Sequence, residues 1–119
     1  MVAAWPAPWQ ASADATPGGG VRDRFGIPEK MQFQSREPFH AVARFAQKRG
    51  LSLCNTVDPI VRSESPERLF LRSAAEFSPD GHEVYARSLA QYVVEHIPGL
   101  WIDGSSDRPL QPVSGTAPA

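Results

Sequence analysis

The spacing of apolar residues between positions 35 and 49 predicts an amphipathic helix. Apolar side chains recur there at the i, i+3, i+4 and i+7 positions of one buried helix face, at Phe39, Val42, Ala43 and Ala46. Pro38 suits the first turn of such a helix, where its missing N–H is not needed. Gly50 suits the left-handed position that commonly follows a helix C-terminus. The pattern therefore predicts a helix from Ser35 to Arg49.

The region from Ser78 to Ile97 predicts a second, longer helix with clear start and stop signals. Ser78 can cap the free N–H groups, and Pro79 fits the first turn. Pro98 and Gly99 end the pattern. The predicted apolar face consists of Ala86, Ala90, Val93, Val94 and Ile97.

Between these helices the pattern changes from helical spacing to alternation. Apolar and polar positions alternate from Leu51 to Val57, which predicts a short strand. Asp58 and Pro59 then resemble an N-cap and a first helical residue, so a brief helix is expected through Arg62. The Ser-Pro-Glu sequence at 65–67 predicts one more turn. An order of helix, strand and helix is typical of α/β proteins.

The two ends of the chain have a different composition from the middle. Residues 1–20 are rich in Ala, Pro and Trp and close with Gly18-Gly19-Gly20, which predicts a disordered leader and a hinge. Trp5 and Trp9 in this leader either pack on the domain or form a docking peptide. Residues 21–33 predict a short edge strand or an irregular arm, since Pro28 cannot donate to a ladder. The predicted folded module spans 21–102, with Leu100–Ile102 capping its core, and 103–119 form a disordered tail.

Composition and charge exclude several functional classes. The chain has 119 residues, enough for one domain, and a net charge of −1, so no nucleic-acid partner is expected. No apolar run approaches the ~18 residues of a membrane span. The N-terminus lacks the basic and apolar regions of a secretory signal, which leaves the cytoplasm as the default location.

The titratable and nucleophilic residues predict no metal or cofactor site. Cys54 is the only cysteine, so neither an intrachain disulfide nor a cysteine-rich metal site can form, and a buried inert thiol is expected. His82 and His96 are not spaced i, i+4 and do not share a helix face as metal ligands would. The glycine run at 18–20 is not followed by Lys-Ser or Lys-Thr, as a phosphate-binding loop would be.

Two residues near the start of the second helix are candidate acid–base groups. Glu76 directly precedes the predicted helix start, where a carboxylate either acts as a general acid or base or favours the helix N-terminus. His82 lies in the first turn and is either a catalytic base or a solvated side chain near the cap.

The segment Phe77-Ser78-Pro79-Asp80-Gly81-His82, followed by Ala86 and Leu89-Ala90, resembles the last sequence block of SGNH/GDSL-type hydrolases. The resemblance covers about Ile27 to Ile97 and includes the apolar run Leu69-Phe70-Leu71. It implies an α/β fold: part of a flavodoxin-like three-layer unit, with two or three short strands and two main helices between disordered termini. It also implies chemistry on acyl esters.

The catalytic residues of that family are not matched. Glu76 stands where the resemblance would place the catalytic His, and Ser73 or Ala74 where it would place the Asp. The leading hypothesis is therefore a truncated, non-catalytic SGNH-like module. It would act through association, as a homo-oligomer or with a protein partner that covers an open sheet edge. The alternatives are an ester hydrolase or acyltransferase fragment, completed by another chain and using Glu76 or His82, and a small helical interaction protein.

Overall fold

The computed structural model describes residues 1–97, so the predicted cap at Leu100–Ile102 and the predicted tail at 103–119 lie outside the described residues. The described chain mixes helices with a two-stranded sheet. In order, its elements are β1 (Val2–Ala4), α1 (Pro8–Ala11), α2 (Val21–Arg24), α3 (Glu37–Lys48), β2 (Leu53–Asn55), α4 (Val57–Val61), a 3₁₀ turn (Pro66–Leu69) and α5 (Pro79–His96).

Strands β1 and β2 form a parallel pair, as expected of an α/β arrangement. Val2 lies opposite Leu53 and Ala4 lies opposite Asn55. Parallel strands cannot be joined by a tight turn, and here the connection contains α1, α2 and α3. Helix α3 contacts both strands.

Helix α3 confirms the first predicted helix, and its end shows why Gly50 is needed. The Leu51 N–H donates to the Ala46 carbonyl at 2.8 Å, and the Gly50 N–H donates to Gln47 at 3.2 Å. These two bonds form a Schellman motif, which requires a left-handed residue at Gly50, where φ is 66°. The motif turns the chain directly into β2.

The short helix after β2 (α4) starts two residues earlier than predicted. It begins at Val57, so Asp58 lies inside its first turn and is not the N-cap. The Asn55 side-chain oxygen accepts a hydrogen bond from the Val57 N–H at 3.0 Å. The Thr56 hydroxyl donates to the Ala4 carbonyl at 2.8 Å, which ties this helix start to β1. The turn predicted at 65–67 is confirmed by the 3₁₀ turn.

The prediction of a disordered leader over residues 1–20 is wrong, because this segment supplies β1, α1 and part of the core. Ala11, Ala15 and Thr16 are buried. Alanine has little tendency to form strands in isolation, so the β1 sequence carries a weak local signal. Pairing with β2 supplies the stabilisation that the local sequence lacks.

The two tryptophans of the leader pack on the rest of the chain. The Trp9 ring lies 5.2 Å from the Phe25 ring, and the Trp5 ring meets Tyr85 edge-on at 5.5 Å. No strand forms among residues 21–33, where α2 is followed by an irregular arm. Of the alternatives left open by the sequence, the packed tryptophans and the irregular arm are the ones observed.

The hydrophobic core lies where the leader meets the second half of the chain. Its buried residues are Ala11, Ala15, Ile60, Leu69 and Phe70, and Val61, Phe77 and Val84 pack against them. The face predicted for α5 is rotated, since Val84 packs on the core whereas Ala86 is exposed. No helix in the described range is long and apolar enough to cross a membrane.

The chain divides into two compact units, Met1–Leu89 and Ala90–Ala119, of which the second is described only to residue 97. Within this part of the second unit, the His96 ring stacks on Tyr92 with ring centroids 4.4 Å apart. The Gln91 side chain donates to Glu95 at 3.0 Å, one helical turn further along.

Candidate functional site

The loop from Leu71 to Glu76 lies where the sequence resemblance would place catalytic chemistry. Phe70 and Phe77 flank it as an isolated antiparallel bridge. The Leu71 N–H donates to the Glu76 carbonyl at 2.8 Å, and the Ser78 N–H donates to the Leu69 carbonyl at 2.9 Å. The loop is therefore closed at its base like a small hairpin.

The first residues of α5 hold one side of this loop. The Ser78 hydroxyl accepts a hydrogen bond from the Gly81 N–H at 3.2 Å and donates to the Arg68 carbonyl at 2.6 Å. A side chain at Gly81 would collide with the Leu69 carbonyl oxygen and lie 2.8 Å from the Phe77 ring. The Phe-Ser-Pro-x-Gly sequence is thus required for capping and close packing, whatever else it does.

Residues 16–19 hold the other side of the loop. The Thr16 hydroxyl lies 2.8 Å from the Leu71 carbonyl and 3.3 Å from the Ala74 carbonyl, and donates to them. The Gly18 N–H donates to the Arg72 carbonyl at 2.8 Å. A Cβ at Gly19 would lie 3.0 Å from the Ser73 Cβ. The glycine run therefore permits close backbone approach and is not the predicted hinge.

The backbone at Thr16 is in an unusual conformation. Its φ is 49°, in the left-handed region that β-branched residues rarely occupy, and its side chain is 1% exposed. The hydrogen bonds from its hydroxyl to two carbonyl groups provide stabilisation that offsets this strain. Such a residue marks a position that the surrounding structure determines tightly.

The predicted acid–base residues do not form a catalytic pair. Glu76 is exposed, and its side chain makes no hydrogen bond or ion pair within residues 1–97. His82 is also exposed, and its ring meets the Phe77 ring edge-on at 5.6 Å. Ser73 is exposed and Ala74 is half-buried. The structure brings Ser73, Ala74 and Glu76 onto one loop, and none of them has an activating partner among residues 1–97.

Cys54 is buried in β2, as expected from its apolar neighbours. Its side chain is 3% exposed, and burial raises the pKa of the thiol. A nucleophilic cysteine needs a lowered pKa and access to solvent. The Cys54 thiol has neither, so it is suited to packing rather than to catalysis.

A buried arginine, which the sequence pattern does not identify as important, holds together residues 12–15 and 28–31. Arg22 is 6% exposed. All the N–H donors of its guanidinium are directed at backbone carbonyls, with distances between 2.8 and 3.2 Å. These carbonyls belong to Ser12, Ala15, Pro28 and Met31. Arg22 thereby joins residues 12–15 to the arm at 28–31.

The cleft beside Arg22 is not an anion site. It has a volume of about 430 Å³ and is lined by Asp14, Asp23, Glu29 and Lys30 among others. The guanidinium has no donor left for a ligand. Lys30 donates to Asp14 at 2.8 Å, and this hydrogen bond lowers the pKa of Asp14 and raises the pKa of Lys30. The only cationic side chain of the cleft besides Arg22 among residues 1–97, Lys30, is therefore already paired with Asp14.

The outer edge of β1 carries backbone groups with no partner in the described chain. In the parallel ladder, Val2 and Ala4 direct their N–H and C=O groups towards β2. Ala3 lies between them, so its N–H and C=O point to the opposite side. Met1 is 50% exposed and Trp5 is 53% exposed, and they flank this edge. An open, apolar strand edge of this kind is a site for pairing with another chain.

Comparisons of the chain with protein-family models, with curated proteins and with solved structures found no match. The interpretation of the site therefore rests on its geometry. Glu76 and His82 were found from sequence, but Thr16, Gly19 and Arg22 were not. Of these three residues, only Gly19 belongs to a recognisable sequence pattern, the glycine run at 18–20. That pattern predicts flexibility and not close packing.

Proposed function

We propose that the chain is a non-catalytic SGNH/GDSL hydrolase-like module that acts through association with another protein chain. The observation that carries the proposal is the combination of a closely packed Leu71–Glu76 loop with an open β1 edge. The loop displays Ser73 and Glu76 to solvent without an acid–base partner within residues 1–97. Between Met1 and Trp5 the edge displays backbone groups that have no partner within residues 1–97.

The parallel pairing of β1 and β2 supports the family resemblance in this proposal. An absence of parallel pairing at residues 51–57 would have argued against it, whereas β2 pairs with β1 over Leu53–Asn55. Helices in the connection and the capped helix α5 are also compatible with the proposal of a partial flavodoxin-like three-layer unit. Parallel sheets normally contain several strands covered on both faces. Two strands leave room for a partner to extend the sheet.

The lack of activation at Glu76 and His82 supports the non-catalytic part of the proposal. A serine hydrolase needs a nucleophile, an oriented base and oxyanion donors in one place. Glu76 and His82 point into solvent instead of into an enclosed cavity.

Hydrolysis of p-nitrophenyl acetate tests this function. The wild-type chain, Glu76→Ala and His82→Ala are compared, with Glu64→Ala as the control because Glu64 is another exposed glutamate, away from the loop. We expect all four proteins to show only the background rate of the buffer. Turnover by the wild-type chain that is lost in Glu76→Ala or His82→Ala would overturn the proposal and favour a divergent hydrolase or acyltransferase fragment.

Light scattering tests the association. We expect the apparent mass to rise above that of one chain as protein concentration increases, or on addition of a partner. A chain that stays monomeric in both conditions would contradict association as its mode of action.

A further inference from the structure

We propose that the partner at the β1 edge is a second copy of this chain, paired antiparallel across a two-fold axis at Ala3. The inference rests on the proposed function and specifies the partner and the register. Pairing through one strand edge related by a two-fold axis is isologous: the same surface of each copy meets itself.

The hydrogen-bonding pattern of β1 sets the register. Because β2 occupies the groups of Val2 and Ala4, only the N–H and C=O of Ala3 face outward within the strand. In an antiparallel ladder, directly opposed residues alternate between pairs that exchange both hydrogen bonds and pairs that exchange none. Placing Ala3 opposite Ala3 of the second copy makes it a hydrogen-bonded pair, so both of its free groups are satisfied.

The side chains that flank Ala3 fit this register. With the two-fold axis at Ala3, Val2 faces Ala4 of the other copy and Met1 faces Trp5. Strand alternation places Met1, Ala3 and Trp5 on the same face. Both flanking side chains are about half exposed, at 50% and 53%. Methionine sulfur against an aromatic ring is a favourable contact, and the pairing produces it twice.

The other open edge of the sheet is less suited to self-pairing. Ser52 and Asn55 are exposed along β2, and the Asn55 side chain is engaged with the Val57 N–H at 3.0 Å. An edge with polar side chains is a common protection against association. The apolar character of β1 therefore selects it as the pairing edge.

The net charge of the chain permits this contact. At −1, two copies repel each other only weakly. The strand is short, so the area it buries is below the ~1,200 Å² of a standard stable interface. The expected product is a weak, reversible dimer rather than a permanent one.

Disulfide trapping of Ala3→Cys tests the register. In a hydrogen-bonded antiparallel pair the opposed Cα atoms are about 5.5 Å apart, within the range that a disulfide spans. The native Cys54 is buried and does not compete. We expect Ala3→Cys to form a covalent dimer on mild oxidation, and to do so at least ~10-fold faster than Leu53→Cys on the β2 edge and Gln47→Cys on the exposed side of α3.

Ala3→Pro provides a second measurement. Proline removes the outward N–H of Ala3, whereas the bonds of Val2 and Ala4 to β2 do not use it. Sedimentation at a series of concentrations should show a weakened dimer, and far-UV circular dichroism should show whether the fold persists. If Ala3→Pro unfolds, the trapping experiment still decides the question.

The outcomes separate this inference from the proposed function. Equal trapping rates for all three cysteine variants, or faster trapping of Leu53→Cys, would overturn pairing at Ala3 while leaving association intact. If no Ala3→Cys dimer is trapped, the proposal that the partner is a second copy of this chain is wrong. Hydrolysis that depends on Glu76 would instead overturn the non-catalytic module itself.

Discussion

The two segments that hold the Leu71–Glu76 loop reach the same result by different means. On one side, Phe77–Gly81 uses local signals: a serine cap, a proline in the first turn and a glycine at a close contact. On the other side, Thr16–Gly19 uses contacts between residues more than fifty positions apart in sequence. The comparison shows that a short-range motif and a long-range contact can hold the two sides of one loop, although only the motif is visible in the sequence.

The comparison also separates packing from catalysis. The part of Phe77–Gly81 that resembles a hydrolase has a structural role at Phe77, Ser78 and Gly81. The positions at which chemistry would occur, Ser73 and Glu76, are exposed. A helix-capping motif can therefore resemble that of a hydrolase family where the acid and base positions do not.

The largest effect on stability is expected for a substitution of Arg22. It tests whether Arg22 supports the segment Thr16–Gly19, which holds one side of the Leu71–Glu76 loop. Arg22→Met removes the guanidinium and leaves buried carbonyls without donors, which should lower the free energy of unfolding by about 4 kcal/mol. Urea denaturation measures it. Arg24→Met is the control, because Arg24 is exposed and its guanidinium makes one hydrogen bond, to the Gly19 carbonyl at 2.9 Å. A similar loss of unfolding free energy in Arg22→Met and Arg24→Met would show that the buried guanidinium stabilises the fold no more than the exposed one.

The second largest effect on stability is expected for a substitution in Phe77–Gly81, the segment that holds the other side of the Leu71–Glu76 loop. Gly81→Ala should destabilise by about 3 kcal/mol, because the added methyl group collides with the Leu69 carbonyl. Helix propensity predicts the opposite sign, a gain of about 1 kcal/mol. In the control Gly26→Ala, no atom of residues 1–97 lies within 4 Å of the added methyl group, but φ is +71°. Only the cost of the left-handed backbone is therefore expected, about 1 kcal/mol. A stabilised Gly81→Ala protein in thermal unfolding would contradict the close contact.

A smaller effect is expected at Thr16. Thr16→Val keeps the shape of the side chain but leaves the Leu71 and Ala74 carbonyls without its hydroxyl, at a cost of about 1.5 kcal/mol. Amide hydrogen exchange should become faster across residues 71–76. Ser63→Ala is the matched control, because the buried Ser63 hydroxyl has no partner within residues 1–97 and its removal should not destabilise. Unchanged exchange in Thr16→Val would mean that Gly18 and Gly19 suffice to hold the loop.

The smallest effect concerns the exposed pair of Asp14 and Lys30. Because the hydrogen bond from Lys30 lowers the folded-state pKa of Asp14, the contribution to stability is present above the unfolded-state pKa of the carboxyl. It is lost as the pH falls through the lower folded-state pKa. Asp14→Asn should therefore flatten the acid side of the stability profile slightly, and high salt should mask the difference. A larger loss than in Thr16→Val would show that this surface pair contributes more to the leader than the buried contacts do.

Sequence reasoning located the elements whose signals are local. The predicted ends of α3 and α5 differ from the observed ends by two residues or fewer. The signals were Gly50 after the end of α3 and Ser78 before the start of α5. The strand at β2 is shorter than predicted and spans Leu53–Asn55, the residues that lie opposite β1. Glu76 and His82 were identified as candidates, but their exposure depends on how the loop is held.

The fold of residues 1–20 cannot be predicted from their own sequence, because it depends on distant residues. Val2-Ala3-Ala4 becomes a strand by pairing with β2, and Thr16 is buried by contact with the Leu71–Glu76 loop. Gly18 and Gly19 look flexible in sequence, because glycine permits many conformations in an isolated chain. Contact with Arg72 and Ser73 selects one of them.

The sequence by itself determined the boundaries of α3 and α5 to within two residues, the glycine at the end of α3 and the capped start of α5. It also determined that other residues stand at the acid and base positions of the resemblance. These follow from interactions among neighbours along the chain and from side-chain identity. The tertiary structure decided that residues 1–20 fold, that Arg22 is buried among carbonyls and that no other part of residues 1–97 pairs with the outer edge of β1. Each of these depends on backbone groups brought together from distant positions, whose hydrogen bonds cannot be assigned until the chain has folded.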